Sequence, residues 1–280
     1  MRTKFTVLLA LLALAGSVAL AQRSRNRTPP PVSSFTAPEW KNDPEFAKDV
    51  FTWVRLKYVV NGRHEFGHTA DRWAIDFPDC DSNFSYRLQQ MSSVKVDPEF
   101  RALSITEKEL FGYPFLYVVE PGRLTFEDDE IPVLRKYLLN GGFMMVDDFW
   151  GDEEWNNFEF ELELLFPPRQ FPKQKWVDLP MDHPIFNGIF TLTEKPRVPN
   201  YDAWERYGPD YIDTRRRGTE TPHYRAVLDD KGRIMILICH NTDLGDAWER
   251  EGTNPDYFHT FSEKLAYPLG INIIFYAMTH

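Results

Sequence analysis

Two stretches restrict this chain more than any others. Phe143-Met144-Met145-Val146 runs straight into Asp147-Asp148, and Ile234-Met235-Ile236-Leu237-Ile238-Cys239 runs into His240-Asn241. Neither run contains a polar residue, so neither alternates as a half-exposed strand would. Such segments suit strands covered on both faces, as in a parallel sheet held between helices. Gly141-Gly142 ends the preceding helical pattern, whose Ile131, Leu134 and Leu138 keep to one face. Asp147 and Asp148 therefore fall at the carboxyl end of a strand, the edge at which open α/β sheets bind ligands. The competing role for one of them is to cap the helix that follows.

Elsewhere, strand patterns occupy residues 51–60, 94–96 and 114–119. Helical patterns occupy 84–91, with Asp81 or Ser82 as N-cap, a stretch from near Asp128 to Gly141, then 155–166 and 268–278. Residues 224–228 and 233–239 form a hairpin about Asp229-Asp230-Lys231-Gly232. Residues 191–221, rich in Pro, Arg and Tyr, form an irregular covering loop or lid. Strands alternate with helices until the late hairpin. This predicts one three-layer α/β domain over residues 50–280 with a mainly parallel sheet.

Residues 1–21 read as a signal peptide: Arg2 and Lys4 precede an apolar run over 5–20, and Ala19-Leu20-Ala21 has a small-x-small cleavage form. The expectation is an exported protein, periplasmic or extracellular, beginning at Gln22 and touching a membrane only through that segment. Residues 22–49, with Pro29-Pro30-Pro31 and no apolar period, are expected to be a disordered lead-in. The formal net charge of −10 repels phosphate backbones, and Arg215-Arg216-Arg217 is too small to reverse it, so nucleic acid is excluded as a partner. An oxidising compartment would permit Cys80 and Cys239 to pair, but two inert thiols is the default reading.

His64-Glu65-Phe66-Gly67-His68 matches H-E-x-x-H, which binds zinc when a helix puts both imidazoles on one face. Asn61-Gly62 before it, Gly67 inside it and the lack of an apolar stripe argue instead for a surface loop. Asp76, Asp79, Asp81 and Asn83 offer oxygens to calcium, but the spacing lacks the central Gly and closing Glu of an EF-hand loop, so turn and capping roles are expected. No metal-ligand set and no cofactor is assigned.

Glu120 follows residues 114–119 and so shares the edge of Asp147 and Asp148. If the two apolar strands lie parallel, His240 converges on that edge too, joined by Asn241 and Asp243. Clustered carboxylates raise one another's pKa and serve as acid and base, or hold a divalent cation with an imidazole. Asp147, Asp148 and His240 are the catalytic candidates. Glu120, Trp150, Asn241, Asp243, Trp73 and Asn83 are the candidate ligand contacts. Aromatic residues make up 15% of the chain, and Trp73, Trp150, Trp155, Trp204 and Trp248 provide flat faces that beside carboxylates suit sugar rings, although most tryptophans pack cores.

The chain resembles the bacterial family called domain of unknown function 4159. The matching features are Arg55 in the first strand, Trp73 with Asp76 and Asn83, Tyr113-Pro114-Phe115, Leu134-Arg135-x-Tyr137-Leu138 before Gly141-Gly142-Phe143, Asp147-Asp148, His183-Pro184-Ile185, and the terminal helix with Asn272. More distantly, Gly141-Gly142, His183-Pro184-Ile185-x-x-Gly188 and Gly232-Arg233 leading to His240 are similar to trehalose-utilisation-type proteins of the class I glutamine amidotransferase-like fold. That kinship implies a flavodoxin-like sheet. It would imply glutaminase chemistry only with a cysteine on a strand-to-helix elbow, a position neither Cys80 nor Cys239 takes.

The resulting expectation is an exported ligand-binding domain of amidotransferase-like fold, without the nucleophilic cysteine, for a carbohydrate or sugar-derived polyol. The alternatives are a carboxylate and histidine hydrolase, with or without a metal, and a cell-envelope scaffold docking a protein through residues 191–221. Oligomeric state is not legible.

Overall fold

The computed structural model describes residues 35–46, 49–60 and 72–280. The expected signal peptide, most of the expected lead-in and the H-E-x-x-H segment lie outside the described residues. Nine strands are described: β1 Val54–Lys57, β2 Val59–Val60, β3 Arg101–Ser104, β4 Phe115–Val119, β5 Leu124–Thr125, β6 Phe143–Asp147, β7 Trp176–Asp178, β8 His223–Leu228 and β9 Ile234–His240. Seven form one sheet in the order β3-β1-β4-β6-β9-β8-β7, and β2 pairs with β5 separately.

The first five strands in that order run parallel, and β8 and β7 add antiparallel on the far side. Numbered among themselves along the chain, the parallel strands stand 2-1-3-4-5, the flavodoxin-like order. The two apolar runs are neighbours pointing the same way, with Met144 opposite Ile236 and Val146 opposite Ile238.

Both faces of the sheet are covered, which is why its central strands have no polar interior. Successive residues point to opposite faces. Phe115, Tyr117, Val119, Phe143, Met145, Leu237 and Cys239 pack on one side against helices α1 (Asp79–Met91), α5 (Leu244–Glu249) and α7 (Tyr267–Thr279). Leu116, Val118, Met144, Val146, Ile236 and Ile238 pack on the other, against α2 (Glu130–Leu139) and α3 (Gly151–Leu165). Two further short helices complete the set, α4 (Tyr201–Tyr207) and α6 (Pro255–Tyr257). A π-helical stretch, Phe258–Ala266, joins α6 to α7.

Several boundaries differ from the sequence reading. Residues 94–96 make only a bridge, Phe51 with Val96, and the edge strand is β3, whose single buried residue, Leu103, leaves no apolar pattern to read. The expected strand over 51–60 is broken in two because β2 leaves the main sheet for β5. Helix α1 begins at Asp79, so Asp81 lies inside it and is no cap. Helix α5 was hidden in a run read only as polar. Cys80 and Cys239 are both buried and unpaired.

Candidate functional site

The carboxyl ends of β1, β4, β6 and β9 meet at one edge, and the turns leaving them are strained. Asp76 (φ 62°), Glu120 (48°), Asp148 (55°) and Asn241 (61°) are the non-glycine residues with left-handed backbone among those described, and all belong to this edge. That conformation costs roughly 1–2 kcal/mol per residue, least for Asn and Asp. Such residues gather where a structure holds side chains for a purpose.

Asp147 does cap a helix, but not the one that follows it. Its Oδ2 accepts from the backbone N–H groups of Leu244 (2.9 Å) and Gly245 (3.0 Å) at the start of α5, and from the Tyr117 hydroxyl (3.3 Å). Fully buried, its carboxyl is pushed up to about 7 by the loss of water, partly offset by these donors. Asp148 turns the other way. Its Oδ1 accepts from Trp150 Nε1 at 2.8 Å, and its carboxyl is held well above the usual range by burial and then by the charge of Glu120. Glu120 is itself paired with Arg72 at 2.6 Å.

Asp243 caps α5, accepting from Asp246 N–H at 2.8 Å, while its Oδ2 accepts from Asn200 Nδ2 at 3.3 Å. Asp76 arrives through an arginine buried at the sheet. Arg55, inaccessible in β1, grips both oxygens of Asp81 in α1 and donates Nη1 to the carbonyls of Trp73 (3.0 Å) and Ile75 (2.6 Å). This pins the turn that delivers Asp76 against Gly245. A Cβ there would lie 2.5 Å from Asp76 Oδ2, so only glycine admits the approach.

One carboxylate oxygen from each of Asp76, Asp148 and Asp243 lies within 4.8 Å of the others, and Asp246 and Glu249 stand equally close to Asp76. Asp148 also lines a cavity of about 460 Å³ at this edge. Arg72, Glu120 and Trp150 form its sheet side. The segment 191–221 supplies the opposite wall through Arg197, Asn200, Arg206, Tyr207 and Tyr211. Tyr207 stacks on Tyr211 with ring centroids 4.4 Å apart and is 52% exposed, leaving aromatic surface open. The cavity follows β1, β4 and β6, where the strand order reverses and doubly wound sheets open a crevice.

His240 reaches the same edge but not the same side. Strand alternation puts it with Ile236 and Ile238, on the face away from Asp147. Its ring packs on Phe149 (4.7 Å) and Trp155 (5.5 Å), and its Nε2 meets the Gly151 carbonyl at 3.1 Å. Burial and the nearby Arg225 guanidinium depress its pKa to about 3, so it is neutral and donates to that carbonyl.

Asn241 is fully engaged: its Oδ1 accepts from Gly151 N–H, and its Nδ2 donates to the carbonyls of Gly218 and Thr221. Asn83 ties α1 to the end of α5 by donating to the Trp248 carbonyl at 2.9 Å. Trp73 packs at the second core, and Trp155 and Trp248 are likewise packing residues; of the five tryptophans only Trp150 lines the cavity.

The sequence reading thus brought together Glu120, Asp148 and Trp150 at the cavity, with Asp243 beside them. It passed over Asp76 as a turn residue, and Arg72, Asn200, Tyr207 and Tyr211 altogether. Asn200 was the available signal, since it caps α4 by accepting from Ala203 N–H.

A family model described as "Domain of unknown function (DUF4159)" matches residues 55–278. No curated protein matches the chain.

Proposed function

The chain belongs to the DUF4159 family, whose description carries no activity, so we propose a function from the edge of its sheet: binding of a carbohydrate or sugar-derived polyol. The observation that carries this is the cavity itself. Its volume suits a small ligand. Its wall combines the exposed Tyr207 face and Trp150 with carboxylates and guanidiniums, groups that stack on sugar rings and take hydroxyl hydrogen bonds at fixed angles. The arginines add a preference for acidic sugars over neutral ones.

The parallel strand order supports the distant amidotransferase-like kinship, as does the antiparallel pair beyond it. Glutaminase chemistry has no nucleophile here: both thiols are buried, and burial pushes both well above their ordinary pKa. A hydrolase reading would rest on the carboxylates alone, because His240 is engaged on the other face. A cavity at the strand ends favours a ligand over an envelope scaffold. Export belongs to the same proposal, supported by the signal-like residues 1–21; N-terminal sequencing of the fractionated protein should begin at Gln22.

Calorimetric titration with neutral sugars, polyols and sugar acids tests the ligand reading. Millimolar or tighter binding is expected for at least one, weakened tenfold or more by Y207A and by R206A. Failure of all three classes to bind would overturn it.

A further inference from the structure

We propose that Asp76, Asp148 and Asp243 form a binding site for a divalent cation of the hard, oxygen-seeking class, with calcium the best fit. The inference goes beyond the sugar reading and does not depend on it.

The three carboxylates come from three turns distant in sequence, the one before α1 and those after β6 and β9, and among the described residues they converge without a cationic side chain between them. The nearby guanidiniums are engaged elsewhere. Arg55 grips Asp81, Arg72 pairs with Glu120, and Arg250 lies against Glu249 and Asp246. Asp76 Oδ2 provides a second, independent indication. It is enclosed, it has no hydrogen-bond partner among the described residues, and it abuts Gly245 beside Asp243 Oδ1. A carboxylate oxygen buried without a hydrogen-bond donor is costly to ionise, and a cation relieves that cost.

Calcium holds oxygens at about 2.3–2.6 Å, so two oxygens on one ion lie at most about 5 Å apart, and the three oxygens here lie within 4.8 Å of one another. The donor set selects the ion: magnesium is ordinarily held through one or two carboxylates with several waters, so three converging carboxylates suit calcium better. Burial and mutual repulsion hold all three carboxyls above their usual range, which a bound cation would reverse. Asp148 also lines the cavity, so an ion here would lie beside it.

Terbium luminescence on the chelator-treated full chain tests this. Trp150 donates to Asp148 Oδ1, which places an indole beside the site as a sensitiser. Indole excitation should give terbium emission that calcium chloride displaces. D76N and D243N should each weaken terbium at least tenfold, and E163Q, on an exposed helix face, should leave it unchanged. Without any ion, D76N should melt at or above the wild-type temperature, because it removes a repelling charge. Absence of sensitised emission, or emission indifferent to D76N and D243N, overturns the proposal. So does a D76N variant that melts several degrees lower yet still gains stability from calcium as the wild type does.

Discussion

The edge of this sheet carries two polar corners on neighbouring strands, and they have opposite characters. After β9, His240 and Asn241 have partners for both ring nitrogens and for the amide. After β6 and in the turn before α1, Asp148 and Asp76 stand with Asp243 in a group of carboxyls, and Asp76 Oδ2 meets no donor among the described residues. Both corners are polar patches at the sheet edge, and of the side chains named here only Asp76 has an oxygen with no hydrogen-bond partner among the described residues. A saturated patch fixes turns, whereas an unsaturated one has capacity left for a ligand, a proton or an ion.

The contrast can be broken most severely from beneath. R55A removes the charge that Asp81 is buried against and releases the turn carrying Asp76. Breaking such a pair costs about 3–5 kcal/mol. Urea unfolding should show a loss of that size, and terbium binding should fall with it. A full loss of stability with unchanged terbium binding would separate Arg55 from the acidic corner.

His240 offers a pH test of the saturated corner. Its folded pKa of about 3 lies below the value near 6.5 expected in the unfolded chain. Between those values the unfolded state holds more protons, so acid favours unfolding. The stability tied to the neutral ring is present above pH 6.5 and is lost as pH falls toward 3. By pH 4 to 5 the wild type should have lost on the order of 2–3 kcal/mol relative to H240Q. The difference between the two unfolding profiles isolates this group from the buried carboxyls, whose raised pKa values act with opposite sign. Parallel profiles would show the imidazole to be solvated.

N241A probes the same corner by leaving Gly151 N–H and two carbonyls without their partner. A cost of about 2 kcal/mol is expected for so many buried groups. The smallest effect on folding belongs to the acidic corner: D148N should change unfolding free energy by less than about 1 kcal/mol, with a gain as acceptable as a loss. A loss near that of N241A would make the two corners alike and remove the case for a site.

Much of the fold could be read directly. The runs at 143–146 and 234–239 are apolar at every position because helices cover both faces, and they are adjacent, parallel strands. Strand β3 could not be read, because an edge strand with one buried residue has no pattern to show. Of the candidate residues, Asp147 ends a strand and Asp148 follows it, yet the left-handed turn at Asp148 sends one to the α5 N-terminus and the other to the cavity. Whether Asp147 serves α3 or α5 depends on a helix 97 residues later, which no local spacing encodes.

Amino-acid order alone determined the layered α/β class, the edge on which the acids fall and the absence of a placed nucleophilic thiol, since hydrophobic period and strand polarity are local properties. Only the tertiary structure decided which polar groups are satisfied. Partnership depends on long-range contacts: Arg55 with Asp81, Asn241 with Gly151, and Asp76 against the bare backbone of Gly245. Those contacts separate a corner that holds the fold together from one with room to bind.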